Sequence, residues 1–240
     1  MTNRSDELSI DQVEKILKNG DFNEFKDKIE GDFFEAKQQK PYVLDSEDGG
    51  ERFSARIELA GDIAAMANSK GGYIVCGLPT RTEEELQTDR VIEIKLFDGN
   101  SFYSQDDIQG VVNTHIVPQL SVTVSWNQSS SDVGMGIGSI FIPPQIESKK
   151  YFIVTAVETN GIKQKNFVAV PIRQGSKPIW MSAKQIYKIA VSNKPNELKQ
   201  VYDSLSGQIS ELRAVIVTGQ STPTPADDIQ KKIKEVLDVH

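Results

Sequence analysis

The stretch Ala64-Ala65-Met66-Ala67-Asn68-Ser69-Lys70-Gly71-Gly72-Tyr73-Ile74-Val75-Cys76-Gly77-Leu78 constrains the fold more than any other, because the hydrophobic period changes in the middle of it. Upstream, Ile57, Ala60, Ala64 and Ala67 recur at three- and four-residue intervals, and Ile63 and Met66 widen the stripe. That is one buried face of a helix. Asn68 and Ser69 are weak helix formers, and Gly71-Gly72 can take the positive φ that ends a helix and turns the chain. The next residues, Tyr73-Ile-Val-Cys-Gly-Leu78, are apolar and rich in β-formers, as a buried strand requires. A helix, a glycine turn and a core strand are therefore expected in sequence.

The flanks extend this pattern. Ser9-Ile-Asp-Gln12 has capping-box spacing, and Ile10, Val13, Ile16 and Leu17 follow on one helical face up to Gly20. Asp21 to Ile29 reads as a second short helix, Asp32 to Lys37 as a strand, and the polar run from Gln38 to Arg52 as an exposed loop. Pro79 to Asp89 is a polar excursion, and Val91 to Phe97 alternates like a strand. Ser104-Gln-Asp-Asp107 caps a helix carrying Ile108, Val111, Val112 and His115, which stops before Pro118. Short β-type runs then follow at 120–126, 137–142, 151–157 and 167–172, and Ser182 to Gln185 caps a last short helix. The fold class is α+β.

Three regions are expected: an N-terminal helix at 1–20, a core domain at 21–190 and a helical tail at 191–240 with a linker at 218–226. In the tail, Leu198, Val201, Leu205, Leu212 and Val215 form an apolar seam, and Ile229, Ile233, Val236 and Leu237 mark a final amphipathic helix. The seam over 196–216 needs a covering surface, which is the final helix folded back, the core or a second chain, and its width favours the last, a homo-oligomer.

No apolar run approaches the ~18 residues of a membrane helix. Met1 to Glu7 lacks a signal-peptide core, and the single Cys76 sits in an apolar strand, so no disulfide framework is available. A cytoplasmic setting is expected. The net charge is −7, yet residues 149–190 carry eight cations against one acid: Lys149, Lys150, Lys163, Lys165, Arg173, Lys177, Lys184 and Lys188. Such a cluster either holds phosphates or balances acidic neighbours in the fold. One cysteine and two histidines leave almost no material for a structural zinc site or a Ser-His-Asp triad, and His115 reads as a packing residue. Gly134-Met-Gly136-Ile-Gly138 precedes a strand rather than a helix, so it reads as a hairpin turn and not as a phosphate cradle. Trp126 and Trp180 are both assigned to the core, with base stacking as the alternative for Trp180.

Glu35 and Lys37 lie two apart on a strand and so share a face. This arrangement suits two different roles. It can form a structural ion pair, or it can hold a divalent metal through the carboxylate while the ammonium meets phosphate charge.

Three blocks, Phe34-Glu-Ala-Lys37, Ala67-Asn-Ser-Lys-Gly-Gly-Tyr-Ile-Val-Cys-Gly-Leu78 and Val168 to Ile189 with Arg173-Gln-Gly-Ser-Lys177, resemble the Schlafen AlbA-type domain family. The resemblance runs over roughly residues 24 to 190. It implies a mixed sheet with helices packed on it, and binding of RNA or DNA through Lys70, Lys163, Lys165, Arg173 and Lys177. Some animal Schlafen proteins are endoribonucleases that use two glutamates at the spacing of Glu30 and Glu35, plus an aspartate after the core strand. The resemblance thus implies Glu30, Glu35 and Lys37 as catalytic residues, with Mg²⁺ or Mn²⁺ at Glu30 and Glu35 and a role in antiviral defence or regulation. Pro79-Thr80 stands where the family has the aspartate, and Glu58, Asp62 or Glu83 to Glu85 are the candidates to replace it. The competing expectation is a non-catalytic, oligomerising interaction module on the same scaffold.

Overall fold

The computed structural model describes residues 6–84, 88–147, 150–160, 163–175 and 177–192. The chain divides into two compact units, Met1–Ser182 and Ala183–His240. In the second, the described part is helix α4, Ala183–Ser192, which starts right after Ser182 as its capping signal predicts. The expected helices at 196–216 and 229–237 and the linker at 218–226 lie outside the described residues.

The first unit opens with α1 (Ile10–Asn19). Its Ser9–Gln12 capping box is present, and Gly20 ends it at φ 72°. Strand β1 (Phe34–Lys37) follows, then α2 (Gly49–Ala67), β2 (Gly72–Cys76), a hairpin of β3 (Thr80–Glu83) and β4 (Thr88–Val91), and β5 (Phe97–Asp98). Helix α3 (Gln105–His115) has the Ser104–Asp107 box and leads into β6 (Ile116–Val117), β7 (Thr123–Gln128) and β8 (Met135–Ile142). Strands β9 (Ile153–Asn160), β10 (Lys163–Ala169), β11 (Pro171–Gln174) and β12 (Lys177–Trp180) complete the unit.

The expected mixed sheet is present. β1 pairs parallel with β2, β2 pairs antiparallel with β8, and β8 also pairs with β5 and β7. Because strand side chains alternate, β2 feeds two cores. Ile74 and Cys76 join Leu59, Ile63 and Met66 of α2 and Ile108 and Val112 of α3, whereas Tyr73 and Val75 join Val13 and Ile16 of α1 with Phe25 and Phe34. The glycine turn is built as read: Gly71 and Gly72 have φ 73° and 141°, and a Cβ on Gly72 would run into the backbone of Phe33.

Several readings change. The expected second helix contracts to one 3-10 turn, Phe22–Phe25, which drives both phenylalanines into the core. The loop ends early, because Asp48 accepts from the amides of Gly50 and Glu51 and so caps α2 across the glycine pair. That loop is also anchored, with Tyr42 fully buried. The polar excursion forms the β3–β4 hairpin, closed by Thr82 donating to Asp89 (2.5 Å) and by the Arg90–Glu83 pair, while residues 92–96 lie outside any strand. The run expected at 167–172 is split between β10 and β11 at Val170. The glycines of β8 follow a packing need, since a Cβ on Gly136 would meet the backbone of Asn127 and one on Gly138 the ring of Phe102. Trp180 is not core: it is 48% exposed.

Candidate functional site

Strand alternation in β1 sends Phe34 and Ala36 into the α1-side core and leaves Glu35 and Lys37 facing α2. There they meet charge from two other elements. Lys37 Nζ lies 2.6 Å from Glu35 and 3.0 Å from Asp62 of α2. On the other side of Glu35, Arg173 of β11 donates from Nη1 to the second carboxylate oxygen. Its Nε donates to Gly31 O (2.9 Å) and its Nη2 to Phe34 O (3.1 Å). Tyr42 donates its hydroxyl proton to Asp62 (2.7 Å), and Tyr103 in turn donates to the Tyr42 carbonyl (2.7 Å). One buried chain of polar contacts, Arg173–Glu35–Lys37–Asp62–Tyr42, thus ties β1, α2, β11 and the 38–48 loop together.

Glu30 approaches from the preceding segment. Its Oε1 accepts from the Ala36 amide (3.0 Å), and its backbone is pinned to β4 through Asp89 O (2.9 Å) and the Thr88 hydroxyl (3.2 Å). Glu30, Glu35, Asp62 and Asp89 therefore border one open cleft of about 620 Å³, together with Glu58, Lys37 and Lys40, and with Pro178 and Trp180 on one wall.

Four inner side chains of this cleft set one another's charge. Burial, then the neighbouring Glu35, pushes the Glu30 carboxyl up to about 8, so it is mostly protonated at neutral pH. Burial alone would also raise Glu35, but Arg173 and Lys37 outweigh it and hold the carboxyl below its usual range. Burial would lower Lys37, yet Glu35 and Asp62 hold it above its usual value. Asp62 is pushed up to about 6, by burial and then by Glu35.

The sequence-predicted residues separate in this frame. Glu30, Glu35, Lys37 and Arg173 come together, and the Arg173 side chain is only 1% exposed. It holds Glu35 and anchors the β11–β12 hairpin rather than offering surface to a phosphate. Lys70 lies at another cavity, 2.7 Å from Asp32 and 5.4 Å over the Phe33 ring, with its side chain 60% exposed. Lys150 shares that cavity and donates to Ser69 O (2.6 Å). Lys163 and Lys165 stand two apart on β10 and Lys177 starts β12, while their side chains lie outside the described part. His115 is buried, with Nδ1 3.1 Å from Thr155 O, and burial pushes the Cys76 thiol up to about 12. Among the candidate acids, Glu83 pairs with Arg90, Asp62 pairs with Lys37, and Glu58 lines the cleft. Tyr42, Asp89 and Tyr103 were missed, since nothing local distinguishes a buried loop tyrosine or a hairpin aspartate from exposed ones.

A divalent ion at Glu30 and Glu35 does not fit these side chains as placed. Both oxygens of Glu35 are engaged by cations, one oxygen of Glu30 accepts from a backbone amide, and Glu30 is held protonated. Among the described residues no group of three His, Cys, Asp or Glu side chains is placed to hold a metal ion.

A mixed five-stranded sheet with helices and a charge-paired cleft beside its parallel edge defines the class. The Schlafen, AlbA_2 family pattern matches residues 30–202, and the chain belongs to that family. The match takes in β1 with Glu30 and Glu35, the glycine turn, and the β11–β12 hairpin with Arg173. No curated protein sequence matches the chain. A solved structure to which it is similar is the solution NMR structure of the N-terminal domain of a RecG-related protein from Nitrosomonas europaea, at 15% identity over 62% of this chain and 84% of that one, with a TM-score of 0.29.

Proposed function

We propose that this domain binds RNA or DNA, with phosphates held by exposed lysines, Lys40 at the cleft and Lys70 at the second cavity, and with the Glu35–Arg173 pair forming the cleft floor. The observation that carries this reading is the internal neutralisation of the cleft. Glu35 and Asp62 are matched by Arg173 and Lys37, and Glu30 is mostly uncharged at neutral pH, so these three acids repel a polyanion less than their number suggests, and Glu58 and Asp89 carry the acidic charge left at the cleft. Family membership and the basic segment at 149–190 support it independently.

The test is fluorescence anisotropy of labelled single-stranded RNA, transfer RNA and duplex DNA with the full chain and with Lys40→Glu and Lys70→Glu. Both lysines are partly exposed, at 43% and 60% of the side chain. Binding that weakens in both variants supports the reading, and no binding by the parent at low salt removes it.

A second reading, metal-dependent cleavage at Glu30 and Glu35, is favoured by one observation. Asp89 of β4 brings a carboxylate to the cleft although Pro79-Thr80 lacks one. Cleavage requires the ion pairs of Glu35 to open for Mg²⁺ or Mn²⁺. Incubation of RNA with either ion decides this: product from the parent and none from Glu35→Gln supports it, and equal product from both refutes it.

A further inference from the structure

Two features of the cleft wall belong together, an exposed tryptophan and a helix glycine. Trp180 is 48% exposed although it borders a cavity large enough for a small ligand, in the range of about 300–1,000 Å³. Facing it on α2 stands Gly61, a residue that weakens a helix interior relative to alanine. The cost has a local reason: a Cβ at Gly61 would come within 3.1 Å of Trp180 Cη2. The indole is thus received edge-on by a helix position without a side chain, and much of its surface remains open.

The hairpin that carries the ring is anchored to the sheet. In the β11–β12 hairpin, Pro171 is opposite Trp180 and Arg173 is opposite Pro178, so these four residues share one face. Arg173 locks that face to β1 through Gly31, Phe34 and Glu35, and the Met181 amide donates to Val170 O (2.9 Å) to extend the hairpin past the ring. Pro178 adds a second flat apolar surface on the same wall.

We propose that Trp180 is a stacking platform for an unpaired base of single-stranded nucleic acid, seated in the cleft between the indole and the Glu35–Lys37–Asp62 floor. The proposal rests on the nucleic-acid-binding reading above and specifies what enters the site. Charge favours a base over a phosphate here. The floor cations, Arg173 and Lys37, are already engaged by Glu35 and Asp62, and Glu58 and Asp89 also border the cavity. Among the described residues each cation at the cavity is shared with a carboxylate, Lys40 with Asp45 included, whereas a neutral, planar base needs only a π-face and polar edges. Glu30, held protonated, offers a hydroxyl donor to such an edge. A duplex keeps its bases stacked internally and cannot present one to the ring.

The test compares three oligonucleotides of equal phosphate count at equal salt: a single strand, the same strand with abasic sites, and a duplex. Each is titrated against the full chain and against Trp180→Phe and Trp180→Ala, after thermal unfolding has been compared. Stacking on an aromatic side chain predicts roughly 10-fold tighter binding of the intact strand than of the abasic one, a difference kept in Trp180→Phe and lost in Trp180→Ala. Equal affinity of the parent for intact and abasic strands overturns the stacking proposal while leaving phosphate binding in place. Absence of binding to all three at low salt overturns the binding reading itself and this proposal with it. If Trp180→Ala unfolds, the intact-versus-abasic comparison on the parent still decides.

Discussion

Arg173 and Glu35 stand 138 positions apart in the chain and share one buried ion pair, with side chains 1% and 5% exposed. This pair fastens the β11–β12 hairpin to the parallel edge of the sheet. Arg173→Ala leaves Glu35 with Lys37 alone and removes the Arg173 bonds to the carbonyls of Gly31 and Phe34, so a loss of about 3–5 kcal/mol in urea unfolding is expected. A change below about 0.5 kcal/mol, typical of a surface site, contradicts the assigned role.

Glu30 gives a pH signature. Its folded value, about 8, lies above the 4.5 of an unperturbed glutamate, so the folded state holds a proton that the unfolded state releases between these values. Stability from this group is complete below about pH 4.5 and is lost as pH rises through about 8, at up to ~1.4 kcal/mol per unit. Asp62 acts with the same sign up to about pH 6, whereas Glu35, held low, acts oppositely and only in acid. Glu30→Gln should therefore flatten the decline of stability between about pH 6 and 8. Parallel slopes for variant and parent refute the placement of Glu30.

Tyr42 tests the anchoring of the 38–48 loop. Tyr42→Phe keeps the buried ring and removes the hydroxyl that donates to Asp62, leaving that carboxylate with Lys37. A loss of roughly 1–3 kcal/mol by chemical unfolding is expected, and no loss means that the hydroxyl is not part of the network.

Gly72→Val tests the turn between α2 and β2. At φ 141°, with the Phe33 backbone where a Cβ would go, the substitution should cost more than about 1 kcal/mol. A neutral result places the turn elsewhere.

What was legible in the sequence follows from how local its cause is. Capping boxes at Ser9 and Ser104, the Gly71-Gly72 turn and the apolar period of β2 act within a few residues, and each is built as read. The Glu35–Lys37 pair was legible for the same reason, since strand alternation alone puts both on one face. Tertiary contacts decided the rest. Phe22 and Phe25 enter the core on a single 3-10 turn because the chain must reach β1, and the period of Val91 to Phe97 gave no sign that β4 would pair backwards with β3. Arg173 looked like a phosphate ligand because no local pattern reveals a partner on β1. Trp180 looked like core because nothing in its neighbours indicates that it meets a helix glycine.

Whether this domain holds nucleic acid through phosphate contacts, as proposed above, is read from the salt dependence of binding. Affinity of the full chain for single-stranded RNA is measured from about 50 to 200 mM monovalent salt, with EDTA and with Mg²⁺. The account predicts a straight fall of log affinity against log salt at ~0.7 per phosphate contact, reaching a slope of about −2 or steeper, and the same line in EDTA once the competing effect of Mg²⁺ is allowed for. A flat line, or binding that vanishes in EDTA at low salt, contradicts it.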